Sequence, residues 1–259
     1  MMKVIAIAGK GGTGKSTLSA LIILALKERG ITPILAVDAD PNYNLGEALG
    51  IAVDKTLGSA TEDFISRRAK IPPGMTKGSV LEMKMHQAVI EDKKIDLIVM
   101  GRPEGPGCYC FINNLLRKSL SELSSNYRVV VIDNEAGMEH LSRKTTAQID
   151  FLILSSDHTI KGIRTAGRLR DLASEMEISV GEIGLVVNRV EDKLDPMALK
   201  EIEKLSLDLY AILPEDPELK KLYLNDIPLI ELGDNSPLKA AVNGLVEKTM
   251  KSNLKAAGD

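Results

Sequence analysis

The sequence predicts an α/β fold, a doubly wound, mostly parallel sheet. Two observations carry this prediction. Short apolar runs alternate with helical patterns from one end of the chain to the other, and within each run the apolar residues are continuous rather than alternating, as in strands covered on both faces. A glycine-rich loop joins the first run to the first helical pattern. At 259 residues the chain is long enough for one large domain of this kind or two small ones. No linker, repeat or low-complexity tract divides it, so a single domain over residues 1–259 is expected.

Strands are expected at residues 4–8, 34–37, 97–100, 129–132, 151–154, 183–187 and 207–213. Helices are expected at 18–29, 111–123, 139–148, 160–176 and 197–204. A last helix over 237–251 has Ser236 as its N-cap and Pro237 at its first position, where proline's missing N–H costs nothing. This strand–helix alternation builds a doubly wound sheet. Residues 56–94 do not fit the pattern. They contain Ile71-Pro72-Pro73-Gly74, which reads as turn, and a polar, Met-rich stretch around Met83, Met85 and His86. An irregular insertion facing solvent or a partner is expected there. Core packing or a partner contact is preferred for the Met-rich stretch over a soft-metal box.

Composition narrows the function. Lys and Arg total 33 against 36 Asp and Glu, giving a net charge of −3, and the isoelectric point is about 5.8. Such a balance exerts no long-range pull on DNA or RNA. Aromatic residues are 3% and tryptophan is absent, against base-stacking platforms. No apolar run reaches the ~18 residues of a membrane span, and the polar tail lacks the basic amphipathic pattern of a membrane-surface helix. The first residues read as a strand, not a secretory signal, so a cytoplasmic protein without nucleic-acid or membrane partners is expected.

The sharpest motif is Gly9-Lys10-Gly11-Gly12-Thr13-Gly14-Lys15-Ser16-Thr17, with the spacing GxxxxGK[ST]. Its glycines let the backbone curl so that N–H groups face a polyphosphate, and the following helix N-terminus adds partial positive charge. Gly11, Gly12, Thr13, Gly14, Lys15, Ser16 and Thr17 are therefore candidate nucleotide contacts. Lys15 would lie along the β- and γ-phosphates, and the Ser16 hydroxyl would meet Mg²⁺. The run Val129-Val130-Val131-Ile132-Asp133 is an apolar strand ending in a carboxylate, the Walker B form, so Asp133 would reach Mg²⁺ through water. Both cysteines stand at C-x-C spacing, Cys108 and Cys110, behind a Gly/Pro-rich lead-in. Thiolates suit Zn²⁺, Ni²⁺ or Cu⁺, but two cannot close a tetrahedral site, whereas a two-fold dimer would supply four. The other reading is a pair of small buried residues.

The second lysine, Lys10, makes the loop resemble the deviant Walker A loop of the MinD, ParA and nitrogenase iron-protein group of P-loop NTPases. That resemblance implies a MinD-like fold and a homodimer in which Lys10 reaches the partner's nucleotide. It also implies that Asp40, in Asp38-Ala39-Asp40-Pro41, orients the attacking water, that Asp38 helps hold the metal's water shell, and that Gly137 senses the γ-phosphate. Asn188 resembles the group's purine-contacting asparagine, and Pro214-Glu215-Asp216 resembles its adenine loop. Asn188-Arg189-Val190-Glu191 partly imitates the guanine signature NKxD but departs at Arg189 and Glu191, so ATP is favoured. Together with the stretches Pro103–Cys110 and Asp133-Asn134-Glu135-Ala136-Gly137-Met138-Glu139-His140, these motifs resemble the CooC-type ATPases over roughly residues 3–216. The resemblance implies an ATPase that serves nickel insertion into carbon monoxide dehydrogenase or acetyl-CoA synthase, with Ni²⁺ or Zn²⁺ at Cys108 and Cys110 shared across the dimer. Two rivals stay open: an iron-protein-like ATP-dependent reductase, and a MinD- or ParA-type positioning ATPase.

Overall fold

A computed structural model describes residues 2–62, 71–101, 123, 126–136, 148–176 and 178–251. The expected helices over 111–123 and 139–148 fall almost wholly outside these residues.

The described strands form one eight-stranded sheet. They are β1 (Lys3–Gly9), β2 (Ile34–Asp38), β3 (Ile90–Asp92), β4 (Ile95–Val99), β5 (Val129–Asp133), β6 (Ile149–Asp157), β7 (Val180–Val190) and β8 (Leu209–Pro214), in the order β3-β4-β2-β5-β1-β6-β7-β8. Every pairing is parallel except β3 with β4. The continuous apolar strands are buried on both faces, as the sequence pattern requires. Val4, Ala6 and Ala8 of β1 enter one core, and Ile5 and Ile7 enter the other.

The second core is closed by α1 (Lys15–Glu28), α2 (Asn44–Leu49) and a C-terminal helix, α8 (Pro237–Lys251), through Leu18, Ile22, Leu45, Val242 and Leu245. Ser236 caps α8 as expected, its Oγ accepting from Lys239 N at 3.0 Å. The first core takes residues of α3 (Leu57–Ala60), α4 (Lys77–Gln87), α5 (Ile160–Glu175) and α6 (Pro196–Lys204), among them Leu57, Met85, Ile163, Ala166 and Ile202. A short helix, α7 (Pro217–Leu224), and a single 3-10 turn (Leu229–Glu231) follow β8.

The described part of 56–94 corrects the expectation of an irregular insertion. It holds α3, α4 and β3, which forms a hairpin with β4 just beyond it. Two capping boxes set the helix starts, Thr56 with Ser59 and Thr76 with Ser79. In each, the threonine accepts from the serine N–H and the serine Oγ accepts from the threonine N–H. A serine replaces the usual Glu or Gln at the third position, so the signal is easy to miss in the sequence. Lys94 turns the hairpin at φ 73°. Met85 is 2% exposed in the core while Met83 is 42% exposed, so these methionines split between core and surface.

Candidate functional site

All the parallel strands run the same way, and the sequence-predicted residues collect at their C-terminal ends, where open α/β sheets bind ligands. β1 delivers the glycine loop, β2 Asp38, β5 Asp133, β7 Asn188 and β8 Pro214.

The loop has the geometry that its glycines were expected to allow. Gly12 and Gly14 take φ of 81° and 82°, a conformation that costs side-chain-bearing residues roughly 1–2 kcal/mol. A Cβ on Gly14 would also stand 2.6 Å from Asn188 Nδ2. Thr13 Oγ1 donates to Lys10 O at 2.9 Å and closes the turn. Lys15 is 7% exposed, with Nζ 3.5 Å from Lys10 O, so its ammonium is held inside the loop. Lys10, Gly11 and Gly12 are exposed. A cavity of about 620 Å³ opens in front of the loop, bordered by Lys15, Ser16, Asp40, Glu135 and Arg189.

Beneath the loop, Asp38 and Asp133 pair directly across β2 and β5. Asp38 accepts from Asp40 N at 3.0 Å and Leu45 N at 2.9 Å, and Asp40 accepts from Asn42 N at 2.8 Å. Burial first, and the neighbouring Asp133 second, push the Asp38 carboxyl up to about 7. Burial also lifts Asp133 to about 6, against the pull of Ser16, Lys15 and Ser19. Asp133 Oδ1 accepts from Ser19 Oγ at 3.1 Å, while the buried Oδ2 has no hydrogen-bond partner. A buried carboxylate oxygen without a donor is costly, and a cation removes that cost. Ser16, Asp38 and Asp133 therefore fit Mg²⁺. Sequence reasoning missed Ser19, whose position one turn along α1 from Ser16 is legible only once the helix is laid on β5.

The base end is assembled differently. β7 carries an extra residue against β8 between Val187 and Val190, with Arg189 at φ 59°, a bulge of the kind that re-aims side chains at functional sites. Its effect is to seat Asn188 against the loop, where Nδ2 donates to Thr13 O at 3.0 Å and Oδ1 accepts from Arg189 N at 3.1 Å. Ser155 Oγ donates to the same carbonyl at 3.0 Å. The amide expected to read a purine is thus engaged in bracing the phosphate loop. Asp216 is likewise engaged: it caps α7 through Glu218 N at 2.8 Å and accepts from Ser236 Oγ at 2.5 Å. Burial alone would raise its pKa, but Ser236 and the N–H groups of Glu218, Leu219 and Leu238 hold it below the usual carboxylate value. Asn188, Arg189, Pro214, Glu215 and Asp216 nonetheless line a pocket of about 290 Å³ with Leu18, Leu21, Leu213 and Tyr223. Its leucine floor suits the flat apolar faces of a base. Tyr223, which no motif marks, also borders the larger cavity.

Cys108, Cys110 and Gly137 lie outside the described residues. Among the described residues no group of three or more His, Cys, Asp and Glu gathers to hold a metal, and no helix is long and apolar enough to cross a membrane.

Residues 4–229 match the family described as the CobQ/CobB/MinD/ParA nucleotide binding domain. An uncharacterized ATP-binding protein of Methanocaldococcus jannaschii is 42% identical over 247 residues, which cover 95% of this chain and 97% of the relative. The carbon monoxide dehydrogenase accessory protein CooC of Rhodospirillum rubrum is 29% identical over 202 residues, 74% of this chain and 76% of CooC. Among solved structures, the septum site-determining protein MinD of Pyrococcus horikoshii, complexed with Mg-ADP, superposes with a TM-score of 0.72 at 23% identity and full coverage of both chains.

Proposed function

Because the chain belongs to the CobQ/CobB/MinD/ParA nucleotide-binding family, we propose that it is a homodimeric, Mg-ATP-dependent ATPase acting as a maturation factor for a nickel enzyme, carbon monoxide dehydrogenase or acetyl-CoA synthase. The ATPase part rests on one observation above the others: a loop with Gly12 and Gly14 left-handed and Lys15 inside it, set beside a buried Asp133 oxygen that lacks a donor. The nickel part rests on the Cys108-x-Cys110 motif and on the similarity to CooC.

In this reading water attacks the γ-phosphorus and the bond to the β-phosphate oxygen breaks, giving ADP and phosphate. Lys15 and the loop N–H groups bind the phosphates, and Asp40 orients the water. Lys10, which is exposed on the loop, serves the partner's nucleotide as an arginine finger does in other NTPases, a contact worth roughly 10³–10⁵ in rate. Ser16, Asp38 and Asp133 would hold Mg²⁺, which would supply positive charge to the phosphate oxygens. Cys108 and Cys110 of the two subunits together offer four thiolates.

The test joins turnover, mass and metal content. Lys10→Ala should bind ATP yet lose turnover by about 10³; normal turnover would remove the role in trans. Metal-free protein titrated with Ni²⁺ or Zn²⁺ should take up one ion per two chains and gain dimer mass, and Cys108→Ser/Cys110→Ser should lose both while still binding ATP. Tight uptake of one ion per chain without a change in mass would defeat the shared site. Brown colour after anaerobic purification would instead favour the reductase, and retention on lipid or DNA the positioning ATPase.

A further inference from the structure

We propose that Tyr223 is a positioning residue for the nucleoside, the wall between the phosphate cavity and the base pocket, pinned to the loop helix by its hydroxyl. The inference rests on the nucleotide reading above and deepens it. Tyr223 stands in the last turn of α7, and its OH is 2.6 Å from Thr17 Oγ1. Thr17 ends the glycine-loop motif, so that hydroxyl pair marks the boundary between the phosphates and whatever they carry. The ring borders both spaces, the cavity of about 620 Å³ and the pocket of about 290 Å³. A nucleoside triphosphate with its phosphates in the first and its base in the second has to pass along it.

Two further observations separate this from a residue placed there by packing. The side chain is no core residue: Tyr223 is 52% exposed, borders the cleft, and is tied to α1 by its hydroxyl. An amphipathic ring held this way offers large apolar contact while ordering only two torsions. Arg189 comes at the same boundary, bordering both spaces from the β7 bulge, and its charge bears on the phenol. Partial burial raises the phenol's pKa, with Thr17 and Arg189 opposing, so the hydroxyl stays protonated near neutral pH. The sugar of the ligand would therefore pass between the two spaces along a boundary that Tyr223 and Arg189 share.

The experiment compares two probes on the full chain with Mg²⁺ present: ATP, and inorganic tripolyphosphate, which has the phosphates but no nucleoside. Tyr223→Ala should weaken ATP about tenfold and leave tripolyphosphate within about twofold, while Tyr223→Phe, which keeps the ring, should stay within about threefold for both. Tyr223→Leu gives a second ring-free variant of larger volume and should follow Tyr223→Ala. Unchanged ATP binding in Tyr223→Ala would overturn the inference, and so would an equal loss of both probes, which would mean that Tyr223 only shores up the loop. A parent protein that binds neither probe would overturn the nucleotide reading itself; a parent that binds ATP no better than its Tyr223→Ala variant overturns this inference alone.

Discussion

The two ends of the nucleotide cleft are built on opposite plans. The phosphate end is made from nine consecutive residues, Gly9 to Thr17, and its binding groups are mostly backbone. The base end is made from side chains of α1, β7, β8 and α7, which are far apart in the chain. The first is fixed by local backbone geometry and leaves no room for a Cβ at Gly14. The second is fixed by packing, and its polar members, Asn188 and Asp216, are engaged in holding other parts of the protein. The difference teaches that a residue at a binding site need not be a ligand contact. Asn188 ties the two ends together, and Asp216 ties the base end to α8 through Ser236.

The comparison breaks most readily at Gly14. Gly14→Ala adds a Cβ 2.6 Å from Asn188 Nδ2 at a φ of 82°, so it strains the loop and displaces its brace at once. ATP affinity measured by calorimetry should fall about 100-fold. A loss below about threefold would show that the loop adapts and is not fixed by its backbone.

The carboxylates under the phosphate end give the next effect, through pH. Burial pushes the Asp38 and Asp133 carboxyls up to about 7 and about 6 in the folded protein, above the ordinary aspartate value of 3.8. The folded state thus holds these protons more tightly than the unfolded chain. Their contribution to stability is complete at acid pH, below the unfolded value, and is lost as pH rises through the folded values. Without Mg²⁺, the melting temperature of the parent should therefore fall relative to that of Asp38→Asn between about pH 5 and about pH 8. Mg²⁺ competes for the same sites, so Mg-ATP affinity should rise over that range. Melting curves of parent and variant that stay parallel would show that these carboxyls do not titrate as described.

Asn188→Ala tests the tie between the ends. Thr13 O would keep its bond from Ser155 Oγ, so the loss should sit at the low end for a buried hydrogen bond, about 1 kcal/mol, or about fivefold in ATP affinity. Tripolyphosphate should lose as much as ATP if Asn188 acts through the loop. A loss confined to ATP would restore it as a base contact.

Ser236→Ala should leave the smallest mark on binding. It removes the cap of α8 and the partner of Asp216 Oδ2, so stability should fall by about 1–2 kcal/mol. That is about 2–8 °C in melting temperature for a chain of this size. ATP affinity should stay within about twofold. A larger change would make Asp216 a direct contact after all.

What the sequence determined by itself is whatever depends on contiguous residues. Continuous apolar runs required strands covered on both faces, glycines at fixed spacing required the loop, and Ser236-Pro237 required a helix start. Asp38 and Asp133 were legible because each ends an apolar run, and strand ends in such a sheet face the ligand. The capping serines of 56–94 were not, because Ser59 and Ser79 stand where a longer side chain is the usual sign. Tertiary structure alone decided the rest. Ser19 meets Asp133 only because α1 lies over β5, Ser155 and Asn188 meet Thr13 only because β6 lies beside β1 and β7 beside β6, and Tyr223 meets Thr17 across 206 positions of chain. A local pattern records the torsions and faces of neighbouring residues, whereas these contacts come from the order of strands in the sheet, which brings together side chains that no local pattern relates.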